Sequence, residues 1–336
     1  MNLDRSRPRI VGGTAARPHE RAHFAPGEKR PSPWELGGLS LWELGKRVGR
    51  SANEDDVFGR SAQLAYYFFL ALFPALIFFT ALIGLLAHTG TQLHDSLLGY
   101  MQAAMPGSAY SLVQKVFEKT AQHSGSGKLG FGLIAALWSA TSGMTALEDT
   151  LNAVYNVREG RPIWKTYGLA ILLTIVCSIL VIAALLVILY GNMLANFVAA
   201  HVGLGPVAAW TWKIVQWPLA FAFLALVFSL IYYYCPDVEQ RHWEWLTPGG
   251  IAGMVLWAAA SFGFRVYLHY FNSYSATYGA FGAVMILLVW FYITGMMLLL
   301  GAEVNAEIEN AAAKRGVPDA KQKGQKVPAE PAEKGA

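Results

Sequence analysis

Six uninterrupted apolar stretches fill the middle of this chain and constrain its fold more than any other feature. They run over residues 64–87, 129–151, 167–190, 214–234, 248–270 and 278–302. A helix rises about 1.5 Å per residue, so roughly 20 residues cross a hydrocarbon core of about 30 Å. Each stretch meets that length. Hydrocarbon offers no water to bond an open backbone, whereas a helix bonds its own. The sequence therefore predicts an all-α, polytopic membrane protein with six transmembrane helices.

Charge placement predicts the orientation. Only 14% of the residues are charged, and the 26 Lys and Arg are concentrated in the tails. Eleven fall in residues 1–60 and six follow residue 302. Six spans put both tails on one side, and cations favour the cytoplasm. The short loop 156–166 then also faces the cytoplasm, with three cations, while loop 88–128 faces outward with three in a much longer stretch. Trp and Tyr cluster near the segment ends, at headgroup depth. The net charge of +4 is explained by orientation without nucleic acid.

Residues 1–33 read as a disordered basic tail, with no apolar run that would make a signal peptide. Residues 34–60 read as a cytoplasmic interfacial segment, with an amphipathic helix over 39–50. Residues 61–308 form the six-helix transmembrane domain. Within its external loop, two apolar periodicities flank Pro106-Gly107 and predict an amphipathic helical hairpin, a packing lid or a gate. Residues 309–336, lacking aromatics, read as a disordered cytoplasmic tail.

Catalytic and metal chemistry find no residues to carry them. Cys177 and Cys235 lie on different spans with no CxxC or Cys/His spacing, and read as apolar fillers. The eight histidines are scattered, without an HExxH run, and no phosphate-binding GxxxxGK[ST] run is present. No cofactor, metal or catalytic residue is expected, and the chain is not read as an enzyme.

Several segments, in order, resemble the YihY/BrkB family of bacterial inner-membrane proteins. They are residues 63–74 (QLAYYFFLALFP), 146–157 (ALEDTLNAVYNV) followed by Arg161, and 234–237 (YCPD) with Trp243 and Pro248-Gly249. Tyr274 and Tyr278-Gly-Ala-Phe-Gly282, then 288–292 (LVWFY) and 301–303 (GAE), complete the set. The resemblance covers about residues 55–308 and implies six spans with cytoplasmic ends in the bacterial inner membrane. It also implies transport or export of lipids and small solutes, or envelope resistance. The family's old label as ribonuclease BN finds no support in these residues. No His, Asp or Glu cluster has metal-ligand spacing, and the basic tails lack interleaved aromatics for stacking bases.

Polar groups in or near the spans are costly in lipid and therefore carry the functional expectations. Arg265 lies 17 residues after Pro248, near the outer leaflet. It either snorkels to the interface or faces a cavity and holds a phosphate or carboxylate. Asn272, Tyr274 and Tyr278 follow in what reads as a short polar connection on the same side. At the inner end of the second span stand Glu148 and Asp149, with Asn152 and Asn156 further on. Positions 148, 152 and 156 share a helical face. They form either an interfacial cap paired with Arg158 or Arg161, or a proton- or substrate-linked site. Glu303 closes the sixth span and reads as interfacial. Pro74 and Pro218 are candidate kinks or hinges. Residues 137–142 (LWSATS) and 256–261 (LWAAAS) echo one another, a pattern an inverted three-plus-three repeat would produce.

The expectation is a protein moving lipids or small amphiphilic or anionic solutes. The alternative is a non-transporting scaffold for envelope integrity. Expected partners are membrane lipids, with self-association or envelope proteins as further partners and no nucleic acid.

Overall fold

A computed structural model describes residues 32–86, 110, 126–202, 205–240, 246–270, 273–317 and 319–327. The expected external hairpin and the basic tail 1–31 lie outside the described residues. Those residues contain no strand. Among the described residues a 3₁₀ turn, Pro33–Gly38, precedes seven helices: α1 (Leu41–Glu54), α2 (Val57–Leu86), α3 (Ser126–Val154), α4 (Ile163–Val202), α5 (Gly205–Tyr234), α6 (Pro248–Tyr270) and α7 (Ser273–Lys314).

Among the described residues, four stretches are long and apolar enough to cross a membrane: Ile163–Ala184, Ile214–Tyr234, Pro248–Tyr270 and Phe281–Lys314. Val57–Phe73 is a shorter apolar helix within α2, and α3 is 29 residues long. Large apolar side chains stand exposed along these helices, among them Trp138 at 76% and Phe262 at 70%. Apolar exposure on that scale matches a lipid-facing surface rather than a water-facing one.

Burial is concentrated at one end of the bundle, where α1, the start of α2, the ends of α3 and α5, the start of α6 and the late turns of α7 meet. Val57, Leu64, Leu151, Val154, Cys235, Leu299 and Ala302 are closed from solvent there. Both cysteines are buried and free. We call this the polar end, because the charged side chains of the connections gather around that packed core.

Two expectations are corrected. The tail from residue 309 is not disordered from its start: α7 runs on to Lys314, and 319–327 folds back with Lys321 buried. Apolar packing holds the α7 extension, since Val304 and Ile308 on α7 meet Leu44 and Val48 on α1, whereas ion pairs of Lys321, Lys323 and Lys326 hold the returning stretch. At 42 residues, α7 is about 63 Å long, roughly twice the hydrocarbon thickness. The polar connection expected after Arg265 is also shorter, because Ser273 already opens α7, leaving only residues 271–272 between helices. Neither proline stops its helix: α2 continues past position 74 and α5 past Pro218.

Ser40 caps α1, accepting from the Glu43 N–H at 3.2 Å. Leu44, Val48, Ser51 and Ala52 then form the buried face, at the three-to-four spacing of one helical side. Trp42, exposed, lies under the Lys46 ammonium 5.1 Å from its ring.

Small residues let α6 and α7 touch backbone to backbone. A Cβ at Gly249 would stand 2.1 Å from the Gly301 carbonyl oxygen, and one at Gly301 would stand 2.4 Å from the Tyr232 hydroxyl. The Gly249-x-x-x-Gly253 spacing thus serves packing within the bundle. Gly249→Ala is expected to destabilise the detergent-solubilised protein by about 1–3 kcal/mol, as overpacking does. Gly49→Ala, with open space at its Cβ, is expected to stabilise by up to about 1 kcal/mol through helix propensity. Denaturant melts of the two variants against the parent check both signs.

Candidate functional site

The end of α3 organises the polar end. After Val154 the helix closes with Asn156 in the left-handed region, at φ +55°. The Asn156 N–H donates to the Ala153 carbonyl at 2.8 Å and the Val157 N–H to the Asn152 carbonyl at 2.9 Å. This is the Schellman pattern, in which asparagine is tolerated in place of glycine. It turns the chain so that residues 157–161 cross the mouth of the bundle towards α4.

Asn152 is buried and bridges two elements. Its Nδ2 donates to Glu159 Oε2 at 3.0 Å, and its Oδ1 accepts the Asp237 N–H at 2.6 Å, just beyond α5. Glu159 accepts three bonds from Arg161: from the backbone N–H at 2.9 Å, Nε at 2.8 Å and Nη2 at 2.6 Å. Arg161 also donates to the carbonyls of Tyr234 at 3.1 Å and Cys235 at 2.8 Å. Asp237 accepts the Gly160 N–H at 2.8 Å and the Lys326 ammonium. Partial burial by itself would raise the Glu159 carboxyl, but the Arg161 bonds and the Asn152 amide outweigh it and hold the group at about 2.

A second charged layer lies beside the first. Lys323 reaches Glu303 Oε2 at 2.8 Å, Asp55 Oδ2 at 2.9 Å and Glu307 Oε1 at 3.4 Å. Ser51 donates to Glu307 at 2.7 Å and Asn156 to Asp55 at 3.1 Å. Burial would depress the Lys323 ammonium, yet the Glu303 and Asp55 carboxylates hold it above its usual value. Glu303, expected at the interface, is instead fully buried.

Glu148 differs from these groups. It is 1% exposed, and neither carboxyl oxygen has a hydrogen-bond partner. Arg161 is the cation that offsets its charge, but it is bonded to Glu159 and two carbonyls. Glu148 and Asn152 share a face, as their spacing predicts, and the structure buries it. Asn156 does not follow them, because the helix has ended there, and Asp149 points outward, exposed.

The candidates expected on the outer side are not brought to this site. Arg265 is exposed in the later turns of α6, away from the polar end, and Tyr274 and Tyr278 lie in the first turns of α7. Asn272 lies outside the described residues. Sequence reasoning missed Glu159, Asp55, Glu307, Lys323 and Lys326. Arg161 and Asp237 stood among the resembling motifs, and that was the available signal for Glu159. The tail lysines carried none. No group of three or more His, Cys, Asp or Glu among the described residues could hold a metal ion.

An all-helical bundle with an apolar exterior and its charges gathered at one end defines an integral membrane protein. The chain belongs to the BrkB family: the model of that family, described as virulence factor BrkB, matches residues 48–326. A Bacillus subtilis (strain 168) protein, YfkH, which carries the label ribonuclease-like, is 35% identical over 247 residues, covering 74% of this chain and 88% of its own. UPF0761 membrane proteins of Xanthomonas oryzae pv. oryzae (strain PXO99A) and Xanthomonas axonopodis pv. citri (strain 306) are each 29% identical over 268 residues, or 78% of this chain. The matches span 59% and 60% of those relatives' lengths. No solved structure matches the chain.

The Glu159 bonds set an acid limit on stability. Its carboxyl sits near 2 in the fold and near 4.5 when free. The stabilisation is therefore complete above about 4.5, and is lost as pH falls from there through about 2. Glu159→Gln is expected to be less stable at neutral pH and to show a flatter decline across that window, read from melting temperature against pH.

Proposed function

We propose that the chain crosses the bacterial inner membrane six times and moves lipids or small amphiphilic or anionic solutes across or within it. In this reading α2 to α7 are the six spans and both chain ends are cytoplasmic. The meeting of α1 and the 319–327 stretch at one end supports an even number of spans, and the cation count supports the cytoplasmic side. Cysteines introduced as Lys46→Cys and Gln325→Cys, in a chain whose native cysteines are replaced, are expected to react with an impermeant maleimide only in inside-out vesicles.

The observation carrying the transport reading is Glu148. A carboxyl without a partner is expensive at this depth, and ionisable groups in membrane helices characteristically mark substrate or proton pathways. Asn152 beside it supplies amide hydrogen bonding at the inner mouth. Arg265 supplies a guanidinium suited to phosphate or carboxylate on the outer half. The scaffold reading draws on a different observation: Arg265 is exposed and the polar end is packed.

Proteoliposomes carrying fluorescent phospholipid separate the two. Movement between leaflets above that of empty liposomes is expected. It should fall about tenfold in Glu148→Gln, equivalent to ~1.4 kcal/mol on the barrier, and fall in Arg265→Ala. Movement no faster than in empty liposomes, for lipid and then for a panel of amphiphilic anions, would leave the scaffold reading.

A further inference from the structure

The stretch 319–327 is tied to four parts of the bundle, almost entirely through polar contacts. Lys321 reaches Glu309 on α7 at 2.6 Å and the Glu239 carbonyl beyond α5 at 2.8 Å. Lys323 enters between Asp55, in the link from α1 to α2, and Glu303 and Glu307 on α7. The Gly324 N–H donates to the Tyr155 carbonyl at the end of α3, at 2.9 Å. Lys326 pairs with Asp237, and its carbonyl accepts the Glu239 N–H at 2.7 Å.

No large apolar side chain anchors the stretch in exchange, since Val327, its one sizeable hydrophobe, is 53% exposed. Residues held by packing release only when the core opens. A stretch held by ammonium–carboxylate pairs releases when a competing cation or a lost charge replaces them. Beneath it, Glu303 is fully buried and its Oε1 has no hydrogen-bond partner. One ammonium therefore does not saturate the three carboxylates it serves.

We propose that residues 319–327 are a self-docked strap that closes the polar end, with Lys323 as a tethered ammonium among Asp55, Glu303 and Glu307 that a free amine can replace. Opening the strap exposes those carboxylates and Asn156 at the mouth of the bundle. Its docking stands independently of the transport reading; regulation of a passage there rests on that reading.

The test is hydrogen exchange, followed by mass spectrometry, on the purified full chain in detergent, with ethylammonium chloride as probe and sodium chloride at matched ionic strength as control. Lys323→Ala is expected to speed exchange of 319–327 about tenfold, a local opening, while the core of α7 near Leu299 stays protected. Ethylammonium should restore protection in that variant and sodium should not. In the parent chain the sign reverses, because ethylammonium competes with Lys323 and exchange of the strap rises above the sodium control. Unchanged strap exchange in Lys323→Ala, or equal effects of the two cations, would overturn the proposal. If the variant does not fold, the parent chain decides: a rise with ethylammonium over sodium supports the strap, and no difference overturns it. Lipid movement in the same preparations scores the transport reading separately, since strap release without movement retains the first and rejects the second.

Discussion

Arg161 is the interaction on which the polar end depends. A helix leaves its last carbonyls without intrahelical donors, and a helix finishing beside lipid has little water to satisfy them. Arg161 supplies donors to two such carbonyls, Tyr234 and Cys235, from the other side of the bundle. Its planar guanidinium does this while holding the Glu159 carboxylate, an arrangement a lysine could not reproduce. With α3 and α5 fixed in this way, Asn152 bridges their ends and Asp237 is positioned for Lys326. Four of Arg161's five guanidinium N–H donors go to Glu159 and the Tyr234 and Cys235 carbonyls, and none is bonded to Glu148.

The second layer obeys a different economy. A lysine buried against three carboxylates loses much of its hydration, so such a group contributes little net stability yet is costly to break from one side, by about 3–5 kcal/mol. The length of α7 makes the layer possible. Without its turns beyond Ala302, neither Glu303, Glu307 nor Glu309 would stand clear of the apolar zone to meet the returning lysines. Leu44 and Val48 on α1 supply the apolar contact that keeps those turns helical. A surface helix, a long final helix and a returning tail are therefore one device, and none of the three is explained alone.

Hydropathy made the apolar helices legible in sequence, since lipid imposes a length and a composition that few other structures meet. Periodicity placed Glu148, Asn152 and Asn156 on one face; the structure buries the first two together, and the period ends at Asn156, a left-handed residue. The tail was misread because its composition is that of a solvated chain, and its order comes from carboxylates more than ten residues away or on other helices. Lys323 pairs with Asp55 across 268 positions and with Glu303 across 20, separations no local pattern encodes. Glu303 was misread for the same reason. A carboxylate at the end of a span is ordinarily solvated, and only the returning lysine lets this one be buried.

The packing also speaks to the echo between residues 137–142 and 256–261. An arrangement of two equivalent halves would require α5 to lie on α6 as α2 lies on α3. Among the described residues α2 packs along α3 extensively, whereas α5 and α6 touch little. Where α5 and α6 do approach, a Cβ at Gly253 would stand 3.1 Å from both the Phe228 ring and the Tyr232 hydroxyl. Tyr232 then donates onward to the Leu298 carbonyl of α7 at 2.6 Å. The seam is thus closed at the level of the polar end and is tied there through α7. Further out, α5 exposes Trp217 and Phe221 while α6 exposes Val255 and Phe262. The two halves are unequal in packing, and an exchange of equivalent halves finds no basis in these contacts. A change that opened this bundle would begin where the helices are bound to one another, among the charges of the polar end.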